Sequence, residues 1–416
     1  MHILPLAAVL LATLAGAPLA AESPATQSPA TESVEQRVHR VLATTPLADG
    51  HNDWPMALRM AHGVEGAKTA DLSVPASFNG PPGIGPMRGH TSIPLLRQGQ
   101  IGAQLWSAYV SASLPPEEAV KQTFEQIAIA HSIISRHPET FTFVTTAAEA
   151  QAAFKAGRIA SFIALEGAHQ VNDDIPTLRR AYAAGVRSMT LTHSRPTLLF
   201  DSASADPKHN GIAPAAAAMI AEMNRLGVLV DLSHVSPATM HAVLDITQSP
   251  VIFTHSSAKG ITNNPRNVPD DVLARLKANG GIVMVTFVPA FIDQARADWQ
   301  TRRQARQMIA GQGEAGQTAM QAWDKDNPRP VSTLAMVADH IDHVAKIAGH
   351  DHVGIGGDFD GIPDTPVGLE NVSTYPALFA ELARRGWSDA NLRKLAGENF
   401  LRMLKGNEAV AAKLSR

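Results

Sequence analysis

The chain has 416 residues, of which 45% are hydrophobic and 18% are charged, and its formal net charge is −3. This composition is ordinary for a globular enzyme, and the small net charge gives no electrostatic reason to expect nucleic acid or an anionic membrane as a partner. Because there is no cysteine, a thiol nucleophile, thiolate metal ligands and disulfides are excluded, and any metal must be held by histidines and carboxylates.

The first 21 residues contain no Asp, Glu, Lys or Arg and resemble an export signal. An apolar run from Ile3 to Ala15 is followed by Ala15-Gly16-Ala17, an A-x-A cleavage pattern, and this run is shorter than the ~20 residues that span a bilayer. Residues 22–33 are rich in Ser, Pro, Ala and Thr, which is typical of a flexible lead-in. We therefore expect an exported protein, periplasmic or secreted after cleavage of residues 1–21, with no stable membrane anchor.

Eight short apolar runs rich in Val, Ile, Leu and Met recur along the rest of the chain and predict buried strands. They are Pro46–Asp53, Gly102–Val110, Ile159–Glu166, Val186–His193, Val228–His234, Val251–His255, Gly281–Phe287 and Val353–Asp358. Helical patterns lie between most of them, at Pro115–Ser135, Ile175–Ala184, Ala213–Leu226, Pro237–Ile246, Asp270–Ala278 and Thr333–Ala348. This alternation predicts a parallel sheet covered by helices, either a closed barrel or a doubly wound open sheet. The count of eight favours a (β/α)8 barrel of the TIM type.

Glycines follow several of these helical patterns. Gly185, Gly227 and Gly280 each follow a helical pattern and precede an apolar run, so each is predicted to end a helix and lead directly into a strand. Five histidines fall in helical patterns and are predicted to be solvated: His131, His137, His241, His340 and His343.

Two segments depart from the simple alternation of strand and helix. The stretch Leu72–Pro94 is rich in Gly and Pro and is predicted to be a loop, whereas Pro289–Pro330 is a long polar insertion after the seventh strand. We expect residues 34–416 to form a single catalytic barrel domain that carries this insertion at about 289–330. Both segments are predicted to lie on or near the active face.

Several predicted strands end in His, Asp or Glu. The C-terminal ends of the strands of such a barrel meet at one mouth, where active sites are found. His51 and Asp53 are two residues apart and on a strand project to the same face, and Glu166 has two oxygens that can bridge two cations. His234 and His255 end consecutive strands, and neutral imidazoles are good zinc ligands. This set of nitrogen and oxygen donors suits zinc, and also manganese or cobalt.

Further polar residues near the same mouth could take part in a reaction. A water between two divalent cations has its pKa lowered from 15.7 to about 7. The first candidate to carry protons from such a water is Asp358, and the competing candidate is Asp360. Arg266 could pair with a substrate carboxylate or anchor its own loop. His193 could donate to a developing oxyanion or brace a loop. The predicted catalytic residues are therefore Asp358, Glu166 and His193.

The chain resembles the membrane (renal-type) dipeptidase family of zinc peptidases, within the amidohydrolase-like barrels. The matching segments run in family order from about residue 46 to 405. They are Asp-Gly-His51-Asn-Asp53-Trp-Pro, Leu-Glu166-Gly-Ala-His, Thr-Leu-Thr-His193-Ser, Val-Asp-Leu-Ser-His234-Val-Ser, Thr-His255-Ser-Ser-Ala, Pro-Arg266-Asn-Val-Pro-Asp and Val-Gly-Ile-Gly-Gly-Asp358-Phe-Asp-Gly.

The resemblance implies a site with two zinc ions. In such a site His51 and Asp53 hold one zinc, His234 and His255 hold the other, and Glu166 bridges both. The resemblance also implies that His193 and Arg266 face the substrate and that Asp358 lies near the metal-bound water.

Members of this family cleave dipeptides, often accept a D-residue at the C-terminal position, and in some cases open β-lactam rings; many are homodimers. Two departures leave the substrate preference of this chain open. The stretch Arg195–Phe200 replaces a more polar sequence of mammalian members, and Phe291 stands where those members have a tyrosine.

We therefore predict a binuclear zinc dipeptidase in which a metal-bridging hydroxide attacks the peptide carbonyl, Asp358 carries the proton to the leaving amine, and Arg266 holds the C-terminal carboxylate. The substrates are dipeptides, possibly including L,D-dipeptides, and a homodimer is possible. One alternative is a related amidohydrolase that acts on N-acyl amino acids, lactams or phosphotriesters. Another is a non-catalytic secreted protein that binds metal or peptide.

Overall fold

The computed structural model describes residues 1–2, 32–79 and 86–416, and eight parallel strands within them close into a barrel. These strands are β1 (Leu47–Asn52), β2 (Ile101–Ser107), β3 (Ile159–Glu166), β4 (Val186–Thr190), β5 (Leu229–Asp231), β6 (Ile252–Phe253), β7 (Ile282–Val285) and β8 (Val353–Ile355). Each strand pairs in parallel with the next one along the chain, and β8 pairs with β1 through Asp49 and Ile355. The chain therefore has the predicted (β/α)8 architecture.

Helices surround this barrel. They are α1 (Val34–Thr44), α2 (Trp54–Ala67), α3 (Ile93–Gln98), α4 (Pro116–Arg136), α5 (Ala147–Lys155), α6 (Ile175–Ala183), α7 (Ala216–Leu226), α8 (Pro237–Ile246), α9 (Asp270–Asn279), α10 (Pro289–Ile292), α11 (Gln294–Ala310), α12 (Gly313–Asp326), α13 (Leu334–Ala348), α14 (Tyr375–Arg384), α15 (Asp389–Arg393) and α16 (Asn399–Leu414). A π-helical stretch, Lys394–Glu398, joins α15 to α16. Phe141–Phe143 adds a short parallel strand beside β3.

The strands are buried on both faces, as continuous apolar runs require in a barrel enclosed by helices. All eight residues of β3 and all six of β1 are buried. Glycines in β1 and after β8 make room for the side chain of Met284, because a Cβ on Gly50 or Gly356 would collide with Met284 or with the Thr254 carbonyl oxygen. The glycines of the run Gly354–Gly357 thus allow close packing inside the barrel.

The predicted strands all appear: β3 has its predicted bounds and the others are shorter than predicted, while the predicted helices appear with small shifts of their bounds. Gly227 and Gly280 end α7 and α9 in the left-handed region, with φ of 75° and 82°, which confirms their predicted role. The prediction of a loop at Leu72–Pro94 was incomplete, because this stretch contains an antiparallel pair of short strands, Ser77–Asn79 and Pro86–Arg88.

The polar segment Pro289–Pro330 folds into α10, α11 and α12. Trp299 of α11 and Trp323 of α12 pack at 5.8 Å between ring centroids. Arg303 and Asp324 form an ion pair of 2.8 Å between the same two helices. These contacts make α11 and α12 a helical hairpin that stands after β7.

One of the five histidines predicted to be solvated is fully buried. His340 of α13 accepts a hydrogen bond from Ala258 N at 3.0 Å through Nδ1, and its Nε2 lies 3.3 Å from the carbonyl oxygen of Ile292. The prediction for His340 was wrong because the helical pattern does not reveal that the loop after β6 crosses this face of α13.

Residues Val34–Arg416 form one compact unit. The predicted export signal, residues 1–21, and most of the predicted lead-in, residues 22–33, lie outside the described residues. Among the helices that the structure describes, none combines the length and the apolar character needed to cross a bilayer.

Candidate metal centre

Polar side chains from six strand ends meet at one mouth of the barrel. His51 is in β1 and Glu166 ends β3, while His193, His234, His255 and Asp358 lie within three residues of the ends of β4, β5, β6 and β8. Asp53 lies between β1 and α2, one residue beyond the strand in which it was predicted. The structure therefore brings together the eight residues singled out from the sequence, which include Arg266 in the loop before α9.

Glu166 lies at the centre of this group, and its two oxygens face different partners. Its Oε1 is 2.9 Å from His234 Nε2 and 3.3 Å from His255 Nε2. Its Oε2 is 3.7 Å from His51 Nε2. A carboxylate placed in this way can offer one oxygen to each of two cations.

A second set of donors lies beside His51. Asp53 Oδ2 is 3.2 Å from His51 Nε2, and donor atoms of His51, Asp53 and Asp358 all lie within 4.8 Å of one another. Gly361 packs directly against this set, since a Cβ there would collide with the carboxylates of Asp53 and Asp358. Only glycine leaves room for the two carboxylates to approach each other.

Two residues of the centre have an unusual backbone conformation. His234 has a φ of 69° and Asp358 a φ of 61°, both in the left-handed region. Such conformations cost about 1–3 kcal/mol at a non-glycine residue and persist where the surrounding structure imposes them. Here they turn the two side chains back toward the mouth after β5 and β8.

The charges of the centre are unfavourable without a cation. Burial raises the pKa of Glu166 well above its ordinary value, and the nearby charge of Asp53 adds to this effect. Burial likewise raises the pKa of Asp358 to about 7. Burial alone would lower the pKa of His51, but the negative charges of Asp53 and Glu166 outweigh it and raise the pKa to about 10. Divalent cations would relieve this crowding of carboxylates.

The histidines on the other side are neutral. Burial lowers the pKa of His234 and of His255 well below the ordinary value, and the charge of Arg266 adds to the effect for His234. The Nε2 atoms of these two rings are only 2.8 Å apart. Neutral imidazole is the form that binds metal.

A hydrogen-bond chain behind His255 sets its tautomer. Thr254 Oγ1 donates to the Asp231 carboxylate at 2.6 Å, so the same oxygen accepts from His255 Nδ1 at 2.9 Å. His255 Nε2 then carries a lone pair, which faces the oxygen of Glu166. Two acceptors face each other there, an arrangement that a cation between them would stabilise.

Further buried atoms have no partner within the described part of the chain. They include Asp53 Oδ1, His193 Nδ1 and Arg266 Nη1. Such atoms are costly to bury and indicate a ligand that satisfies them. The donor types and these unpaired atoms fit a site for two divalent cations beside a binding site for an anion.

The contacts of Asp358 and Asp360 distinguish the two candidate proton shuttles. Asp360 Oδ1 accepts from His90 N at 2.7 Å, and Asp360 N donates to His90 Nδ1 at 3.0 Å, so Asp360 ties its own loop to the segment before α3. Asp358, in contrast, lies with His51 and Asp53. The geometry favours Asp358 over Asp360.

A cavity of about 340 Å³ covers the centre. His193, with its side chain 22% exposed, has its Nε2 3.7 Å from Glu166, and burial lowers its pKa to about 3. Phe291 lies 5.3 Å from the Arg266 guanidinium. The sequence interpretation missed several lining residues, Met56, Tyr109, Gln300 and Ile362. Tyr109 lies two residues after the end of β2, and its ring packs on His193 at 4.7 Å between centroids, but a tyrosine in a strand-like pattern carries no signal of this position.

The fold and the centre can be compared with known proteins. The sequence profile of the family described as membrane dipeptidase (peptidase family M19) matches residues 35–416. The probable dipeptidase PvdM from Pseudomonas aeruginosa is similar over 91% of this chain and 99% of its own, with a TM-score of 0.76 and 21% identity.

Two further solved structures are similar over 88% of this chain and 99% of their own. The dipeptidase AC, described as a metallo peptidase of family M19, has a TM-score of 0.69 and 26% identity. A metallo peptidase from Rhodobacter sphaeroides, bound to a phosphinate mimic of the dipeptide L-Ala-D-Ala, has a TM-score of 0.68 and 25% identity.

Proposed function

Because this chain belongs to the membrane dipeptidase family, peptidase family M19, and is a metal-dependent dipeptidase, we propose that it uses two zinc ions and that its substrates include L,D-dipeptides. The observation that carries the proposal is the position of Glu166 between two groups of donors, one oxygen directed to each. The phosphinate mimic of L-Ala-D-Ala bound to the similar Rhodobacter sphaeroides enzyme supports the inclusion of L,D-dipeptides.

The proposed ligands divide into two sets around Glu166. His51 and Asp53 would hold one zinc, His234 and His255 would hold the other, and Glu166 would offer one oxygen to each. The distances of Glu166 Oε1 to His234 and His255, and the separate position of Asp53 beside His51, support this division. When bound, the two zinc ions would lower the pKa of a water between them to about 7, which supplies a hydroxide nucleophile, and would polarise the peptide carbonyl.

Three residues of this chain would then act on the substrate. Arg266 Nη1 binds the C-terminal carboxylate, which limits the substrate to two residues. Asp358 takes up the proton released on attack and returns it through its carboxylate to the leaving amine. His193, which burial and Arg266 keep neutral, donates to the oxygen of the peptide carbonyl as it becomes negative.

The bridging role is tested with Glu166→Gln. An amide cannot replace a carboxylate between two cations, so we expect fewer than two zinc ions per chain and a loss of L-Ala-D-Ala hydrolysis of about 10²-fold or more. Metal content by mass spectrometry and kcat measured with added zinc are the readouts. Glu117→Gln, at an exposed position in the first turn of α4, serves as the control. Two tightly bound zinc ions and full turnover in Glu166→Gln would disprove bridging.

The role of Arg266 is tested with Arg266→Met, which keeps much of the apolar stem. We expect kcat/KM for L-Ala-D-Ala to fall by about 10²-fold, because the buried carboxylate loses a charge-assisted partner. The amidated dipeptide, which has no carboxylate, should be hydrolysed equally by both enzymes. An equal loss on both substrates would contradict the proposed contact.

Export and dimer formation are predictions that rest on the sequence and on the family resemblance. N-terminal sequencing of the protein from the cell envelope fraction tests removal of residues 1–21. Sedimentation of the purified protein tests the dimer.

A further inference from the structure

A second cavity of about 540 Å³ adjoins the cavity over the metal centre. Four residues line both cavities, and they come from the two segments that follow β7 and β8: Val288, Gln300, Ile362 and Pro363. Gln300 belongs to α11 of the helical hairpin. A substrate side chain that passes Gln300 would therefore enter the second cavity from the metal centre.

The second cavity has an excess of positive charge. Arg296 and Arg329 both face a single carboxylate, that of Asp364, at 2.8 Å and 3.4 Å. Arg303 has its own partner, Asp324. Among the residues that line the cavity, three guanidinium groups thus share two carboxylates, which leaves one positive charge in excess at its wall; the buried carboxylate of Asp293 also acts on Arg296 but does not line the cavity.

Arg296 adds an unsatisfied donor to this wall. The residue is only 7% exposed. Its Nη2 binds both oxygens of Asp364, at 3.0 Å and 2.8 Å, and its Nη1 binds the Pro330 carbonyl oxygen at 3.3 Å. Its Nε, in contrast, is buried and finds no acceptor among the residues that the structure describes. A buried cationic donor without an acceptor is costly, and a ligand carboxylate would satisfy it.

An aromatic surface lies between these cations. The guanidinium groups of Arg296 and Arg303 lie 5.1 Å and 5.7 Å from the ring centroid of Trp299. Trp299 can therefore cover the methylene groups of an incoming side chain while the arginines bind its charged end.

We propose that the second cavity is a side-chain subsite, and that it makes this dipeptidase select substrates with an acidic side chain, of the length of glutamate, on one of their two residues. This inference rests on the proposed dipeptidase function and names a substrate class for it. Arg329 supplies the uncompensated charge, Arg296 supplies the open donor, and Gln300 lies at the passage between the two cavities.

The test compares Glu with Gln, which has the same shape and no charge. The substrates are Glu-Ala, Gln-Ala, Ala-Glu and Ala-Gln, with the second residue in both configurations, and Ala-Ala as the neutral reference. The selectivity is the ratio of kcat/KM for the Glu substrate to that for the Gln substrate. In the native enzyme we expect a ratio of about five to ten at one of the two positions, which is the size of one charge-assisted contact in a partly exposed site.

Variants that change the charge of the cavity should shift this ratio in opposite directions. Arg329→Gln removes the uncompensated charge and should bring the ratio close to one. Asp364→Asn adds a second uncompensated charge and should raise it severalfold. Arg302→Gln, on an exposed part of α11 outside the cavity, changes the net charge of the protein equally and should leave the ratio unchanged.

Each outcome decides between the possibilities. A ratio near one at both positions in the native enzyme, together with hydrolysis of Ala-Ala, overturns the subsite and leaves the dipeptidase function standing. A native preference for Glu that Arg329→Gln does not reduce also overturns the subsite. No hydrolysis of any of the dipeptides by the zinc-loaded enzyme overturns the proposed function and the subsite with it.

Discussion

Thr254 shows how one residue behind a proposed metal ligand can set the tautomer of that ligand. Its hydroxyl donates to the buried Asp231 carboxylate and accepts from His255 Nδ1. Asp231 also accepts from the Thr190 hydroxyl and from the backbone of Ser233. Strands β4, β5 and β6 are thus joined by one carboxylate, which fixes through Thr254 the nitrogen of His255 that faces the mouth.

Removal of this hydroxyl should weaken the metal site without removing a ligand. For Thr254→Val, which has nearly the same shape, we expect zinc affinity to fall by about 10–100-fold, because the tautomer and the orientation of His255 are no longer fixed. Titration with a competing chelator measures the affinity. Thr254→Ser keeps the hydroxyl and should restore most of it. Equal affinity in Thr254→Val and the native protein would refute this role of Thr254.

At the scale of whole elements, the sequence predicted the barrel strands and their helices from local signals. The apolar run of β3 and the glycines that end α7 and α9 are signals of this kind, since burial and φ are decided close to the residue itself. The fold of Pro289–Pro330 was not predicted as helices. Its polar composition gives no sign of the helical hairpin, because the hairpin depends on the contact between Trp299 and Trp323, which are far apart in sequence.

Helix α13 is coupled to the loop after β6 by a histidine that must stay neutral. His340 accepts from the backbone of Ala258 through one ring nitrogen, and the other lies beside the carbonyl oxygen of Ile292 in α10. Burial lowers the pKa of His340 from 6.5 to about 4. Protonation would remove the acceptor that binds Ala258.

This coupling predicts a loss of stability in mild acid. Between pH 6.5 and about 4 the unfolded chain binds a proton at His340 that the folded protein does not bind, so the free energy of unfolding falls as the pH falls, by roughly 3 kcal/mol in total. Denaturant unfolding at a series of pH values measures the slope. His340→Gln, which keeps a donor and an acceptor, should give a flatter profile in this range, and His39→Gln on the exposed side of α1 should follow the native one. A native slope in His340→Gln would show that another group is responsible.

At the scale of the whole molecule, the barrel topology explains why the residues of the candidate metal centre lie together although they are spread along the sequence from His51 to Asp358. Parallel strands that close into a ring bring every C-terminal strand end to one mouth, so polar residues at those ends must meet. Distances within the mouth do not follow from this rule. The position of Asp360 against His90, the packing of Tyr109 on His193, and the second cavity all depend on how the loops fold.

Because buried carboxylates crowd the mouth, we expect the stability of the whole fold to depend on metal. Zinc that binds only the folded protein should stabilise it by about 2.7 kcal/mol when free zinc is 100 times its Kd. Calorimetry should show a higher Tm with zinc than with a chelator. Asp53→Asn should lose a large part of this increase, whereas Asp71→Asn on the surface should keep it. A Tm independent of zinc would argue against a metal site in the folded protein.

The hairpin of α11 and α12 supplies Gln300, Arg296 and Arg303 to the second cavity but none of the proposed zinc ligands. The proposed zinc ligands and the hairpin residues of the proposed subsite therefore lie in separate stretches of the polypeptide. Replacement of residues 294–329, a block that holds all three arginines of the second cavity, should change the proposed selectivity among dipeptides without changing a proposed zinc ligand. Within this fold, the range of dipeptides that the enzyme hydrolyses would therefore change through the exchange of this one segment.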